Sequence, residues 1–278
     1  MKSILVHLDA SPRAAERLAL ARALARLHRA ELTCAYAVLP SVLASPWIAM
    51  VEDSSVAALM QDIDKVQRER ARALFDSALG STDARWVDAA SVAGAGVAEP
   101  TQELARLALY ADVVIAGQHD PQDRLAGVLP MSLVPDLVVD SGKPVLIVPF
   151  AGNFDADPRT VLIAWKPTRE AARAVGAALP WLLRARRIVI ATADRDDDES
   201  AVPALKHWLH VHGAGAEIES RRIVADDIGE ELLSIAADTG AGLLAMGCYG
   251  HRRTREWVLG GVTRTVLRSM TLPVLMAH

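Results

Sequence analysis

Two pairs of glycines near the end of the chain are spaced for anion chemistry. Met246-Gly247-Cys248-Tyr249-Gly250 is followed by nine residues, 251–259, and then by Gly260-Gly261-Val262-Thr263. Glycine lets a backbone approach an anion closely, and the free N–H groups that open a helix point at it. The apolar run 242–246 leads into this segment and reads as a buried strand, and residues 262–270 read as a helix. Strand, glycine-rich loop, helix is a layout that cradles phosphate. His251, Arg252, Arg253 and Arg255 add positive charge inside the loop. The plain alternative is a loop whose arginines are simply solvated.

Other chemistry is sparse. Ser11 and Ser132 lack the glycine context of a nucleophile elbow, and no GKS/T phosphate loop occurs. His207, His210 and His212 stand close together, but spacings of three and two do not share one helix face. His207 with His210 makes half a metal site at most, and a solvated helix end is the alternative. The acid run at 195–199 reads as a solvated turn. The expectation is therefore no catalytic residue and no metal site. Slow hydrolysis of a bound nucleotide, with the arginines stabilising charge, is the most that an enzyme reading offers.

The elements that must position the glycine segment follow from hydrophobic patterning. In the first half, residues 4–9, 32–38, 85–90, 112–116 and 143–148 read as strands. Ser11 suits a helix N-cap and Pro12 a first helical residue. Leu18, Ala21, Leu24 and Leu27 recur on one helical face, and residues 56–79 carry a second, longer helical pattern. Residues 39–55, with Pro40, Pro46 and Trp47, read as a long loop or broken helix. Continuous apolar strands alternating with helices imply a parallel sheet covered on both faces, with ligands at the carboxyl ends of the strands. Asp9 and the loop after Ala116 stand at two such ends.

The second half repeats the first. Val161-Leu-Ile-Ala-Trp165-Lys166-Pro167-Thr168 echoes Ile4-Leu-Val-His-Leu8-Asp9-Ala10-Ser11, and both halves close on Pro-Val-Leu, at Pro144 and Pro273. Residues 150–159 form the linker, rich in breakers. The expected domains are 1–150 and 158–278, each a doubly wound α/β unit with a five-stranded parallel sheet. The repeats depart from each other at the site. In the first, Gly117 is kept, but Asp120 stands where the second glycine belongs, and carboxylates facing a phosphate repel it. In the second, the glycines are kept and Lys166 replaces the acid at the end of the first strand.

Gly247-x-x-Gly250, nine residues, Gly260, a small residue and Val262 closely resembles the nucleotide loop of the universal stress protein family. The ending Leu272-Pro273-Val274-Leu275-Met276 is similar to that family's last strand. The family usually has Ser or Thr where this chain has Gly261. The resemblance implies a Rossmann-like, adenine nucleotide alpha hydrolase-like fold with strand order 3-2-1-4-5. It also implies an internal pseudo-dimer of the halves through their last strands, and chains that can pair further into a homodimer. It implies a stress-response protein binding ATP, with Mg, or a related adenine nucleotide in the second half. The expected contacts are Gly247, Gly250, Gly260, Gly261, Val262 and Thr263 around the phosphates, with His251, Arg252 and Arg253 adding charge. Trp165, Lys166 and Ala193 are expected to flank base and ribose. Asp9 matches the family's acid near the nucleotide, and with Gly117 it forms a vestigial site in the first half; the alternative role for Asp9 is to cap the turn that follows. An interaction module without nucleotide, or a weak ATPase, are the rival readings.

Bulk composition bounds the rest. The chain has 278 residues, 51% hydrophobic and 23% charged, enough for two domains with their own cores. A net charge of -4 argues against non-specific nucleic-acid binding. Cys34 and Cys248, both in apolar surroundings, read as reduced thiols. No run is apolar for about 18 residues, so no membrane span is expected. The chain opens directly on a strand, without a signal-peptide pattern, which fits a cytoplasmic protein.

Overall fold

The computed structural model describes residues 1–41, 54–79, 84–89, 100–120, 132–193, 200–248 and 260–278. They fall into two compact units, Met1–Ser141 and Gly142–His278.

The first unit runs β1 (Ser3–Leu8), α1 (Ala14–His28), β2 (Glu31–Tyr36), α2 (Ser54–Leu79), β3 (Ala84–Asp88), α3 (Pro100–Ala108), β4 (Val113–Gly117) and α4 (Leu133–Asp140). Its strands are parallel in the order β3-β2-β1-β4, with Val6 level with Cys34 on one side and Ile115 on the other. Ile4, Leu5 and Val6 of the central strand are buried, as are Val113 to Ala116 of its neighbour. That is why both read as unbroken apolar runs rather than alternating ones.

The second unit runs β5 (Val145–Val148), β6 (Thr160–Ala164), α5 (Arg169–Leu182), β7 (Arg187–Ala193), α6 (Ala201–Val211), β8 (Glu217–Ile223), α7 (Ile228–Thr239), β9 (Leu243–Gly247), α8 (Gly261–Ser269) and β10 (Val274–Ala277). Its own five strands lie parallel in the order β8-β7-β6-β9-β10, which is 3-2-1-4-5 in repeat numbering. The expected five parallel strands are present, and a sixth strand is added at their edge. β5 pairs antiparallel with β10, Ile147 opposite Val274 and Val145 opposite Met276. The sequence reading groups residues 145–148 with the first repeat, whereas compactness groups them with the second. The physical reason is the edge: β10 would otherwise present a row of unpaired backbone groups on a wholly buried apolar strand.

Helix starts differ between the repeats. Thr168 caps α5, its Oγ1 accepting from the Ala171 N–H at 3.3 Å. Ser11, expected to cap α1, does not: that helix begins at Ala14 with no side-chain cap. The Ser11 hydroxyl instead donates to Asp9 Oδ1 at 2.5 Å, as does its N–H at 3.0 Å. Asp227 caps α7, accepting from Gly229 N at 2.8 Å and Glu230 N at 3.1 Å. Its second oxygen accepts from Thr265 Oγ1 of α8 at 3.3 Å. At Gly229 a Cβ would fall 2.7 Å from Thr265 Cβ and 3.1 Å from the Val262 carbonyl oxygen. A glycine there lets α7 and α8 close on each other, and that contact fixes where α8 begins.

Candidate functional site

In the second unit the carboxyl ends of β6, β7 and β9 open onto a cavity of about 400 Å³. This is the position where doubly wound sheets take ligands, and the volume is that of a small-molecule pocket. Trp165, Lys166 and Gly247 line it, with Val262 and Thr263 from the first turn of α8 and Ala193 from β7. Six of the sequence-predicted residues are thereby brought to one cavity. Gly260 and Gly261 stand beside it at the start of α8. Gly250, His251, Arg252 and Arg253 lie outside the described residues.

The glycines do different work. A Cβ on Gly247 would lie 2.4 Å from the Ala171 backbone nitrogen and 2.6 Å from the Glu170 carbonyl carbon. The glycine therefore lets β9 pack against the first turn of α5. No described residue lies within 4 Å of a Cβ built on Gly260 or Gly261, so packing among the described residues does not require glycine at either. Gly260 is the N-cap of α8, and no side chain among the described residues caps that helix. The first N–H groups of an uncapped helix have no intrahelical partner and carry the positive end of its dipole.

The remaining lining is mostly apolar: Ala164, Ala191, Ile223, Ile228 and Leu232 join the alanines and Val262. Trp165 is tied by its backbone, its N–H donating to Ala191 O at 2.8 Å. Its indole nitrogen is buried with no acceptor among the described residues. Glu170 is buried and accepts from Arg169 Nε at 2.5 Å. That hydrogen bond holds its carboxyl below the usual range. Cys248 is no nucleophile: burial, and then the Glu170 charge, push its thiol far up. Its Sγ donates to Ala277 O at 3.4 Å. Glu170, Thr168 and Gly229 were missed by the sequence reading; only Thr168, through its capping position, carried a readable signal.

The first unit is built differently at the same place. Asp9 Oδ1 lies 2.9 Å from Arg17 Nη2, and both side chains are buried, at 6% and 4% exposure. Arg17 Nε donates to the His7 carbonyl at 2.8 Å. A Cβ on Gly117 would meet Arg17 Nη1 at 2.4 Å, so the guanidinium lies against the glycine that corresponds to Gly247. The vestigial pair Asp9 and Gly117 is thus brought together, but around an arginine of the same unit. Asp9 holds the turn after β1 through Ser11 and neutralises Arg17. The repeat counterpart of Arg17 is Ala174, and it is this exchange of guanidinium for methyl that separates the two copies.

This cluster sets an acid sensitivity. Burial alone would raise the Asp9 carboxyl, but Arg17, His7 and the Ser11 hydrogen bonds outweigh it and bring it from 3.8 to about 2. Burial, reinforced by Arg17, lowers His7 below its ordinary 6.5 against the opposing pull of Asp9; its Nε2 lies 2.8 Å from Ala37 O. Both folded pKa values lie below their unfolded ones, so in both cases the unfolded chain binds more protons. Each contribution is present above the unfolded pKa and is lost as pH falls. The urea midpoint of the first unit is expected to be flat above 6.5, to decline below it as His7 costs stability, and to decline again below 3.8. His7→Gln should remove the upper decline alone; an unchanged profile in that variant refutes the assignment.

Residues 159–278 match the model of the universal stress protein family. Those residues form a universal stress protein domain. A universal stress protein from Archaeoglobus fulgidus superposes on it with TM-score 0.71 and 16% identity, covering 99% of this chain and 95% of that one. A protein of unknown function from Pseudomonas aeruginosa PAO1 does so with TM-score 0.60 and 15% identity, over 100% and 92%. These likenesses show that the universal stress protein fold extends through both units. No curated protein matches the chain. No helix among the described residues is long and apolar enough to cross a membrane, and no group of three or more His, Cys, Asp or Glu among them can hold a metal ion.

Proposed function

We propose that this protein binds one adenine nucleotide, ATP in the first instance, in the cavity of its second unit, and acts in a stress response as a nucleotide-linked regulator rather than an efficient enzyme. One observation carries the reading. The cavity of about 400 Å³ joins an apolar wall at β7 and β8 to the uncapped N-terminus of α8 at its other side. The wall suits a base, and the helix start suits phosphate. Gly260, Gly261, Val262 and Thr263 would offer backbone N–H groups, with Gly250, His251, Arg252 and Arg253 of the preceding sequence adding to them. Mg²⁺ would be carried on the nucleotide's phosphates and needs no protein cage. Among the described lining residues, the Glu170 carboxylate is engaged by Arg169 and made a weaker base, and the Cys248 thiol is held protonated.

The first unit contributes no second site in this reading, because Arg17 and Asp9 fill the corresponding place. Equilibrium dialysis with labelled ATP tests both parts. Saturable uptake of about one ATP per chain is expected from a single pocket of this size. Uptake of two refutes the silent first unit. No uptake refutes the nucleotide reading and leaves an interaction module.

A further inference from the structure

We propose that the same cavity is set for an adenine nucleotide that carries a phosphate on its ribose, with Lys166 as the residue that selects it. This rests on the nucleotide reading above and names the ligand more closely. The argument starts from register. Ala164 of β6 stands level with Met246 of β9 on one side and Ala191 of β7 on the other. Two residues beyond that level, past the ends of β9 and β6, come Cys248 and Lys166, with Ala193 at the end of β7; adjacent strands of a sheet lie about 4.8 Å apart. Ala193 in turn pairs with Ile223 of β8. Phosphates at the start of α8 lie on the β9 side, and the apolar wall lies on the β7 and β8 side. Lys166 is between them, where a ribose joins base to 5′-phosphate.

The chemistry of that middle position differs between the two units. In the first it is an acceptor: Asp9 takes an N–H and an O–H from Ser11. A carboxylate in such a place suits ribose hydroxyls, which donate. A lysine offers three donors and no acceptor, so it suits an oxyanion instead. Dinucleotide folds make the same exchange, an acid for the free ribose and a base for the phosphorylated one. The other charged residue of the lining, Glu170, is an anion, and it is buried with its carboxylate engaged by Arg169 at 2.5 Å. The cavity therefore meets the ribose with a cation.

The test compares ligands of equal phosphate number on the full chain by titration calorimetry: ADP, adenosine 3′,5′-bisphosphate and adenosine 2′,5′-bisphosphate. One of the bisphosphates is expected to bind about tenfold tighter than ADP, the scale of one charge-assisted contact. Lys166→Met should abolish that preference, bringing the favoured bisphosphate down to the affinity of ADP. Lys166→Asp should reverse it. Equal or tighter binding of ADP by the natural chain overturns the proposal. So does a Lys166→Met variant that weakens all three ligands alike, because the lysine then serves the 5′-phosphates. Failure of every ligand, ATP included, overturns the nucleotide reading itself, whereas ATP binding without a bisphosphate preference overturns this inference only.

Discussion

Arg17→Ala is expected to destabilise the first unit by about 3–5 kcal/mol, although alanine is what the second repeat carries at this place. The loss comes less from the missing guanidinium than from the carboxylate left behind. Asp9 is 4% exposed, and Arg17 is its cationic partner at 2.9 Å, with the neutral His7 ring 3.9 Å away. A buried charge stripped of its partner keeps its desolvation penalty and loses the attraction that offset it. The second repeat tolerates Ala174 because the acid is absent there, Lys166 standing in its place. It follows that Asp9→Asn combined with Arg17→Met should recover most of the loss, since two neutral groups of similar bulk replace the pair. The two units can unfold separately, so a single melting temperature does not resolve the effect. Hydrogen exchange of the β1 and β4 amides in the full chain does. A loss below about 1 kcal/mol in those amides on Arg17→Ala would show that the pair is worth no more than a surface ion pair.

The same residue marks where sequence reading stopped. The strands were legible because a parallel strand buried on both faces is an unbroken apolar run, as in 4–6 and 113–116, and the repeat of that run at 161–163 gave the second unit. The cap at Thr168 carried a readable signal, a hydroxyl just ahead of a helical run. Its counterpart Ser11 was misread, because an equally suitable hydroxyl is drawn back to Asp9 instead. Arg17 carried a signal that went unused: it lies three residues after Ala14 and four before Ala21, on the buried face of α1, where an arginine needs an internal partner. Gly229 could not be found this way, since the reason for it is Thr265, 36 residues away in another helix. The pairing of β5 with β10 was implied only by the family resemblance, since it depends on which edge needs covering rather than on either strand's own pattern.

Gly261→Asp is expected to lower ATP affinity by at least about tenfold while leaving the second unit as stable or more so. Most glycine substitutions in such a site confuse binding with folding. Gly247→Ala is the poor test, because its Cβ would meet backbone atoms of α5 at 2.4 and 2.6 Å and helix or strand must move. Gly261 is different: no described residue lies within 4 Å of its Cβ, and it is the first residue of a helix whose N-cap, Gly260, has no side chain. A carboxylate in the first turn interacts favourably with the helix dipole, worth about 0.3–1 kcal/mol to folding. The same charge stands where the phosphates are proposed to sit and repels them. Binding and stability are therefore driven in opposite directions by one change. Gly261→Ser supplies a hydroxyl without the charge and should leave affinity equal or higher. If Gly261→Asp binds ATP as the natural chain does, the phosphates are not at the start of α8, and the cavity must take its ligand in another orientation.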